Sequence, residues 1–383
     1  MVRALIGLAV LVTAVGVTVA IWPDSDSSEP GAPDSHKAPA GATSTPEAPP
    51  PREPPDAVRV TVAASGDMLI HSPIYERALT LGGGSAYEFA PMLARLRPWL
   101  NRADLALCHL ETNLASSRPP SGYPLFSTPP ALAAAIAKSG WDACTVASNH
   151  AADHGQAGID ETLAALDRAT LSHAGTYASE RASRRPLLIS DGGARIAILS
   201  YTTDLNGLQP PAAWSVNLVS GPEPVVRDAR RAVARGADAV IVNMHWSAGI
   251  VPEYVHEPSS GQREFAARLV RSSAITAVVG QGPHVVQPIE RIHGKYVVFS
   301  EGNLISSQGL ASGLPAASQD GLVAFLELTV RPSSARVKRV RYLPVWVRRP
   351  DYTVLPATGE TALDARRRVV GVVGRGDGVK PLR

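Results

Sequence analysis

Residues 142–155 read DACTVASNHAADHG. An apolar run, residues 143–147, stops abruptly at Ser148-Asn149-His150. Asp153, His154 and Gly155 follow, and then a helical pattern over residues 156–169 puts Ile159, Leu163 and Leu166 on one face. A strand that ends in an amide, an imidazole and a carboxylate offers polar groups at its C-terminal end. Open α/β sheets bind ligands there. Taken alone, the stretch is equally a turn with a helix cap, so its weight depends on whether the arrangement recurs.

It recurs. Apolar runs of strand length end in polar or glycine clusters at residues 58–64 before Ser65-Gly66-Asp67, 104–108 before His109-Leu110-Glu111, and 195–199 before Ser200-Tyr201-Thr202. The same happens at 239–244 before His245-Trp246, 276–279 before Gly280-Gln281-Gly282-Pro283-His284, and 296–299 before Ser300-Glu301-Gly302-Asn303. Short runs rich in Val, Ile and Ala read as strands buried on both faces. Helical patterns lie between them, at residues 131–138 and at 261–272, where Phe265, Leu269 and Val270 share a face. Ile289–Ile292 and the run from Lys295 flank His293-Gly294, a hairpin signal, and residues 322–330 against 336–343 form a second. Alternating strands and helices with hairpins give a layered α/β domain on a mixed sheet.

Composition agrees with a globular domain. Of 383 residues, 45% are apolar and 19% charged, so the chain can bury a core. A net charge of +3 with dispersed basic residues does not suit nucleic acid. The two cysteines, Cys108 and Cys144, fall in apolar runs and are expected to be small buried hydrophobes.

The N-terminus has a different character. Arg3 precedes nineteen uncharged residues, 4–22, enough helix to cross roughly 28 Å of hydrocarbon. Residues 1–22 therefore read as an uncleaved membrane anchor, with a cleaved signal peptide as the rival, and the positive start leaves the rest of the chain outside the cytoplasm. Residues 23–57 include ten prolines and, after Pro23, no Val, Ile, Leu, Met or aromatic residue, so they read as an extended tether. A folded domain is expected over 58–350 and a C-terminal extension over 351–383.

The strand ends deliver Asp67, Glu111, Asn149, His150, His245 and His284, all expected on one rim of one sheet. Each has an ordinary structural role available, as turn residue, cap or buried imidazole. Independent ordinary roles would not place them all at strand C-termini, however. Oxygen and nitrogen donors without thiolate suit Mn, Fe, Zn or Mg, and two such ions side by side clamp a phosphate or activate a water.

In this order the motifs resemble those of CapA-type proteins of poly-γ-glutamate capsule synthesis, which are similar to calcineurin-like metallophosphoesterases. The motifs are Gly66-Asp67, Leu110-Glu111, Ser148-Asn149-His150-x-x-Asp153-x-Gly155, His245-Trp246 with Glu253-Tyr254, residues 283–290 (PHVVQPIE), and Ser300-x-Gly302-Asn303. The resemblance implies a calcineurin-like fold of mixed central sheets flanked by helices. It implies one or two divalent metals, with Asp67, Glu111 and His284 at one site and Glu111, Asn149 and His245 at the other. His150 would protonate the leaving group as a metal-activated water attacks, and His71, Asp153, Glu253, Tyr254 and Asn303 would contact substrate. The expected substrate is a phosphate ester or a cell-envelope polymer or its phosphorylated precursor, with other polymer-synthesis membrane proteins as possible partners. The alternatives are a non-catalytic assembly or export factor for an anionic polymer and, further off, a glycosidase using Asp67 and Glu111. Two ligand positions depart from the phosphoesterase pattern: Leu69 stands where a histidine is usual, with His71 nearest, and Gly282 replaces another.

Overall fold

The computed structural model describes residues 57–382 apart from 248, 333 and 359–361. The expected anchor, residues 1–22, and residues 23–56 of the expected tether (23–57) lie outside the described residues. No helix among the described residues is long and apolar enough to cross a membrane.

Two sheets organise the domain. The chain first lays down β1 (Val58–Met68), β2 (Leu105–Leu110), β3 (Ala143–Thr145) and β4 (Ser172–Ala174), which pair in that order and in parallel. It then builds a six-stranded sheet from β5 (Leu187–Asp191), β6 (Ala194–Thr202), β7 (Ala239–His245), β8 (Ala277–Gln281), β9 (Ile289–Ile292) and β10 (Lys295–Val298), in the order β5-β6-β7-β8-β10-β9. Finally it returns to the first sheet with β11 (Asn303–Ile305), β12 (Asp320–Arg331), β13 (Ser334–Arg348), β14 (Thr353–Pro356) and β15 (Val379–Pro381). Both expected hairpins form, β9 with β10 and β12 with β13, each antiparallel, so both sheets are mixed.

Side-chain alternation explains the layering. In β1, Val60, Val62 and Ala64 pack in one apolar layer with Ile196, Ile241, Val279 and Val298 of the second sheet, while Ala63 turns to the opposite face. In β7, Ala239 and Ile241 join that inner layer, and Val240, Val242 and Met244 point away. The sheets thus bury a core between them. Helices cover the outer faces: Ser72–Leu81, Ala131–Lys138 and Gly155–Arg168 on the first sheet, Pro222–Ala234 and Ser260–Arg271 on the second. The expected helical faces (Ile159, Leu163, Leu166; Phe265, Leu269, Val270) are the buried ones.

Two readings of the sequence are corrected here. The strand ends do not share one sheet: Asp67, Glu111 and Asn149 leave the first, and His245 and His284 the second. Strand-length apolar runs look alike in either sheet, so periodicity could not assign them. Cys108 and Cys144 are not free hydrophobes but a disulfide. The β2–β3 register sets them opposite each other with Cα atoms 4.5 Å apart, within bridging range. The C-terminal stretch is built into the first sheet through β14 and β15, both paired with β13, and a helix at Leu363–Val373.

Candidate metal centre

Asp67 is re-aimed by an irregularity in β1, whose register with β2 shifts between Ala64 and Asp67. Gly66 is needed there, since a Cβ would lie 1.9 Å from the Gly302 carbonyl, the same carbonyl that accepts from the Asp67 amide at 2.9 Å. Glu111 follows β2, and its carbonyl accepts from Ser148 Oγ at 2.6 Å, tying it to the turn that carries Asn149 and His150. His245 ends β7. His284 sits on the loop after β8 with φ of 57°, its Nδ1 3.1 Å from Asn303 Oδ1.

These side chains converge. Asp67, Glu111 and His284 have ligand atoms within 4.8 Å of one another, the set expected for one site. His284 Nδ1 lies 3.3 Å from Asp67 Oδ2 and its Nε2 3.9 Å from Glu111 Oε1. His245 presents Nδ1 to Asp67 Oδ1 at 3.6 Å and Nε2 to Glu111 Oε1 at 4.0 Å. A second close group is Asp67, His109 and His245. Sequence reasoning passed over His109, although it stands in the His109-Leu110-Glu111 cluster, because only Glu111 of that strand end was taken as a ligand.

All of this is buried, and four acceptors have no hydrogen-bond donor: Asp67 Oδ1, both Glu111 carboxylate oxygens and Asn149 Oδ1. Isolated buried carboxylate oxygens cost several kcal/mol unless a cation faces them. The donor set is carboxylate, amide and imidazole, so the residues present fit a divalent ion of the Mn, Fe, Zn or Mg kind. Burial, and then the Asp67 charge, push the Glu111 carboxyl well above its usual range. Burial opposes a charge on His284, but Glu111 and Asp67 overcome it and lift the imidazole to about 10. Burial draws His109 down to about 3 and His245 below the usual imidazole range, so both are neutral near pH 7.

The two departures have physical explanations. Gly282 has φ of 106°, and a Cβ there would lie 1.9 Å from the Trp246 carbonyl, so no histidine fits. Its amide instead donates to Asp67 Oδ2 at 3.3 Å. Leu69 is buried, and its carbonyl lies 3.1 Å from His71 Nδ1.

Beside the cluster opens a cleft of about 930 Å³, lined by His71, Asn149, His150, Asp153, Glu253, Tyr254 and His284 together with Phe126, Asp204 and Asn206. His150 Nδ1 is 2.9 Å from Asp153 Oδ2, which also accepts from the Phe126 amide at 2.7 Å. Asp153, read as a substrate contact, lines the cleft and is at the same time the hydrogen-bond partner of His150. Asn303 is fully buried: its amide donates to the His284 and Ser318 carbonyls and to Gln308 Oε1, and it does not line the cleft. His71, Glu253 and Tyr254 do line it. Burial pulls His71 down to about 4, and burial followed by the Glu253 charge raises the Tyr254 phenol. Asn206, which sequence reasoning passed over, accepts through Oδ1 from Asn149 Nδ2 at 3.2 Å and sets its Nδ2 3.4 Å from His150 Nε2, from a loop with no apolar period to mark it.

Fold and site together define a two-sheet α/β protein with a buried carboxylate–imidazole cluster of metal-binding type at the open ends of its parallel strands. Residues 61–308 match the family model described as "Bacterial capsule synthesis protein PGA_cap", and the chain belongs to that family. It is 31% identical over 169 residues to the "PGA biosynthesis protein CapA" of Bacillus subtilis (43% of this chain, 42% of that one). It is 28% identical over 219 residues to a "probable polyglutamine synthesis accessory protein" of Mycobacterium tuberculosis (54% and 56%). With the "Capsule biosynthesis protein CapA" of Bacillus anthracis it shares 27% over 183 residues (46% and 42%). The chain thus spans about half the length of the curated relatives it matches. Among solved structures it is similar to the calcineurin-like phosphoesterase YfkN of Bacillus subtilis, at 15% identity and a TM-score of 0.46, covering 82% of this chain and 97% of that one.

Proposed function

We propose that this chain is an extracytoplasmic, metal-dependent hydrolase of capsule or cell-envelope polymer synthesis, of the poly-γ-glutamate type, acting on a phosphate ester or on the polymer itself. One observation carries the reading. Four donorless buried acceptors cluster with the His245 and His284 imidazoles beside a cleft whose wall holds a histidine–aspartate pair.

Asp67, Glu111, Asn149, His245 and His284 would hold one or two divalent ions. When bound, such ions polarise a phosphoryl or carbonyl oxygen and lower the pKa of water. The protein's own residues supply the rest. Asp153 holds the His150 ring through Nδ1, which leaves Nε2, 3.4 Å from Asn206 Nδ2 in the cleft wall, as the ring nitrogen that would pass a proton to a leaving oxygen. The described cleft lining contains no Lys or Arg, so an anionic group would be held through the ions and His150 rather than by basic side chains. The Cys108–Cys144 disulfide supports a location outside the reducing cytoplasm, and the apolar N-terminal sequence supports a membrane tether.

The test is metal analysis of the purified chain with assays of simple phosphomonoesters and phosphodiesters in added Mn, Zn or Mg. Bound metal and hydrolysis lost in the Asn149→Ala/His150→Ala double variant are expected. No hydrolysis with any metal, together with unaltered polymer in cells carrying that variant, would favour the second reading, a non-catalytic assembly or export factor. The ligand positions taken by Leu69 and Gly282 are what support that second reading.

A further inference from the structure

Behind His245 runs a buried line of hydrogen bonds that ends on a main-chain carbonyl. Thr145 Oγ1 donates to the Cys108 carbonyl at 3.1 Å. The same hydroxyl lies 2.9 Å from His109 Nδ1, and His109 Nε2 lies 3.0 Å from His245 Nδ1. A hydroxyl has a single hydrogen. Thr145 gives its hydrogen to Cys108, so it can only accept from His109, whose Nδ1 must carry the N–H. The His109 Nε2 is then a lone pair, and it accepts from an N–H on His245 Nδ1. This leaves a lone pair on His245 Nε2, the nitrogen that faces the donorless Glu111 carboxylate at 4.0 Å. Asn243 Nδ2 also approaches His109 Nδ1, but at 3.4 Å, near the limit for a hydrogen bond, and the closer hydroxyl sets the tautomer.

We propose that His109 is a positioning residue that, anchored by Thr145 and the Cys108 carbonyl, holds His245 as its Nδ1–H tautomer and so presents His245 Nε2 to a divalent cation shared with Glu111. The cation in this statement rests on the metal-binding reading above; the tautomer does not. Strand register builds the relay, because β2 and β3 pair His109 with Thr145 one rung beyond the disulfide-linked pair Cys108 and Cys144. The two rings stack, with centroids 5.1 Å apart at 22°. A rival arrangement uses the same atoms: an ion held by Asp67, His109 and His245 themselves, which needs lone pairs on His109 Nε2 and His245 Nδ1. The two arrangements assign opposite tautomers to His245, so one measurement separates them.

Long-range 15N–1H imidazole spectra of the full chain, stripped of metal and assigned with a His245→Gln variant, are expected to show N–H on Nδ1 of both His109 and His245. An Nε2–H tautomer of His245 would overturn the relay and leave the metal-binding reading standing. Thr145→Val keeps the shape and removes the hydroxyl. It is expected to weaken Mn or Zn affinity by roughly 10–100-fold, as loss of an outer partner of a metal-ligating histidine does, and Thr145→Ser is expected to restore it. Wild-type affinity in Thr145→Val refutes the positioning role. If Thr145→Val fails to fold, the spectrum of the unsubstituted protein decides alone. A wild-type chain that binds neither Mn nor Zn overturns the presentation of His245 to a cation, and the metal-binding reading with it.

Discussion

At the level of single residues, two imidazoles with opposite surroundings divide the work. His284 lies against two carboxylates that raise it to about 10, despite burial. Because its folded value exceeds the unfolded one, its protonation adds stability that is complete below about pH 6.5 and is lost as pH rises through 10. A metal ion needs the neutral ring, so binding must expel that proton. Apparent metal affinity is therefore expected to rise about tenfold per pH unit from neutrality towards pH 10 for each proton released. Calorimetry in buffers of different ionisation enthalpy reads this directly, and binding that releases no proton would contradict it. His150, in contrast, is paired with Asp153 at 2.9 Å and faces the cleft. His150→Ala is expected to lower turnover by roughly 10²–10⁴-fold on an ester with a poor leaving group, and much less on a nitrophenyl ester that leaves without a proton. Equal losses on both substrates would refute a proton-donor role.

At the level of elements, the site depends on how β2 and β3 are held together. These strands carry His109 and Thr145 in register, and the disulfide joins them one residue earlier. Closing a loop across a sequence separation of 36 contributes roughly 4 kcal/mol by the chain-entropy relation. Replacing both cysteines by alanine is therefore expected to lower stability by about 2–4 kcal/mol in a denaturant titration, without changing which residues bind metal. An unchanged unfolding midpoint would show that packing alone holds the pair. Close backbone approach supports the other strand ends. Gly66 admits the Gly302 carbonyl and Gly282 admits the Trp246 carbonyl, each at a distance no Cβ tolerates. Gly282→Ala is expected to disturb the Asp67 contact made by its amide, since φ of 106° is strained for alanine as well.

For the whole molecule, the cluster lies where two sheets meet. Asp67, Glu111 and Asn149 come from one and His245 and His284 from the other, so an ion bound there links both. Ligands that bind only the folded state stabilise it by mass action, about 2.7 kcal/mol at a hundredfold excess over Kd. Chelation is thus expected to lower the thermal midpoint by roughly 5 °C, and re-addition of Mn or Zn to restore it. A midpoint indifferent to chelator would argue that no ion joins the sheets.

Much of this was legible in the sequence. Short runs of Val, Ile and Ala fixed the strands, since period and length follow from local backbone geometry, and polar residues at their ends named most of the candidate ligands. The helical faces and both hairpins followed from the same local rules. Which sheet each strand joined, the pairing of Cys108 with Cys144, the inward turn of Asn303, and the place of His109 against His245 were decided only by tertiary structure. Each depends on register between strands far apart in the chain, and a period read along one strand carries no information about its neighbour.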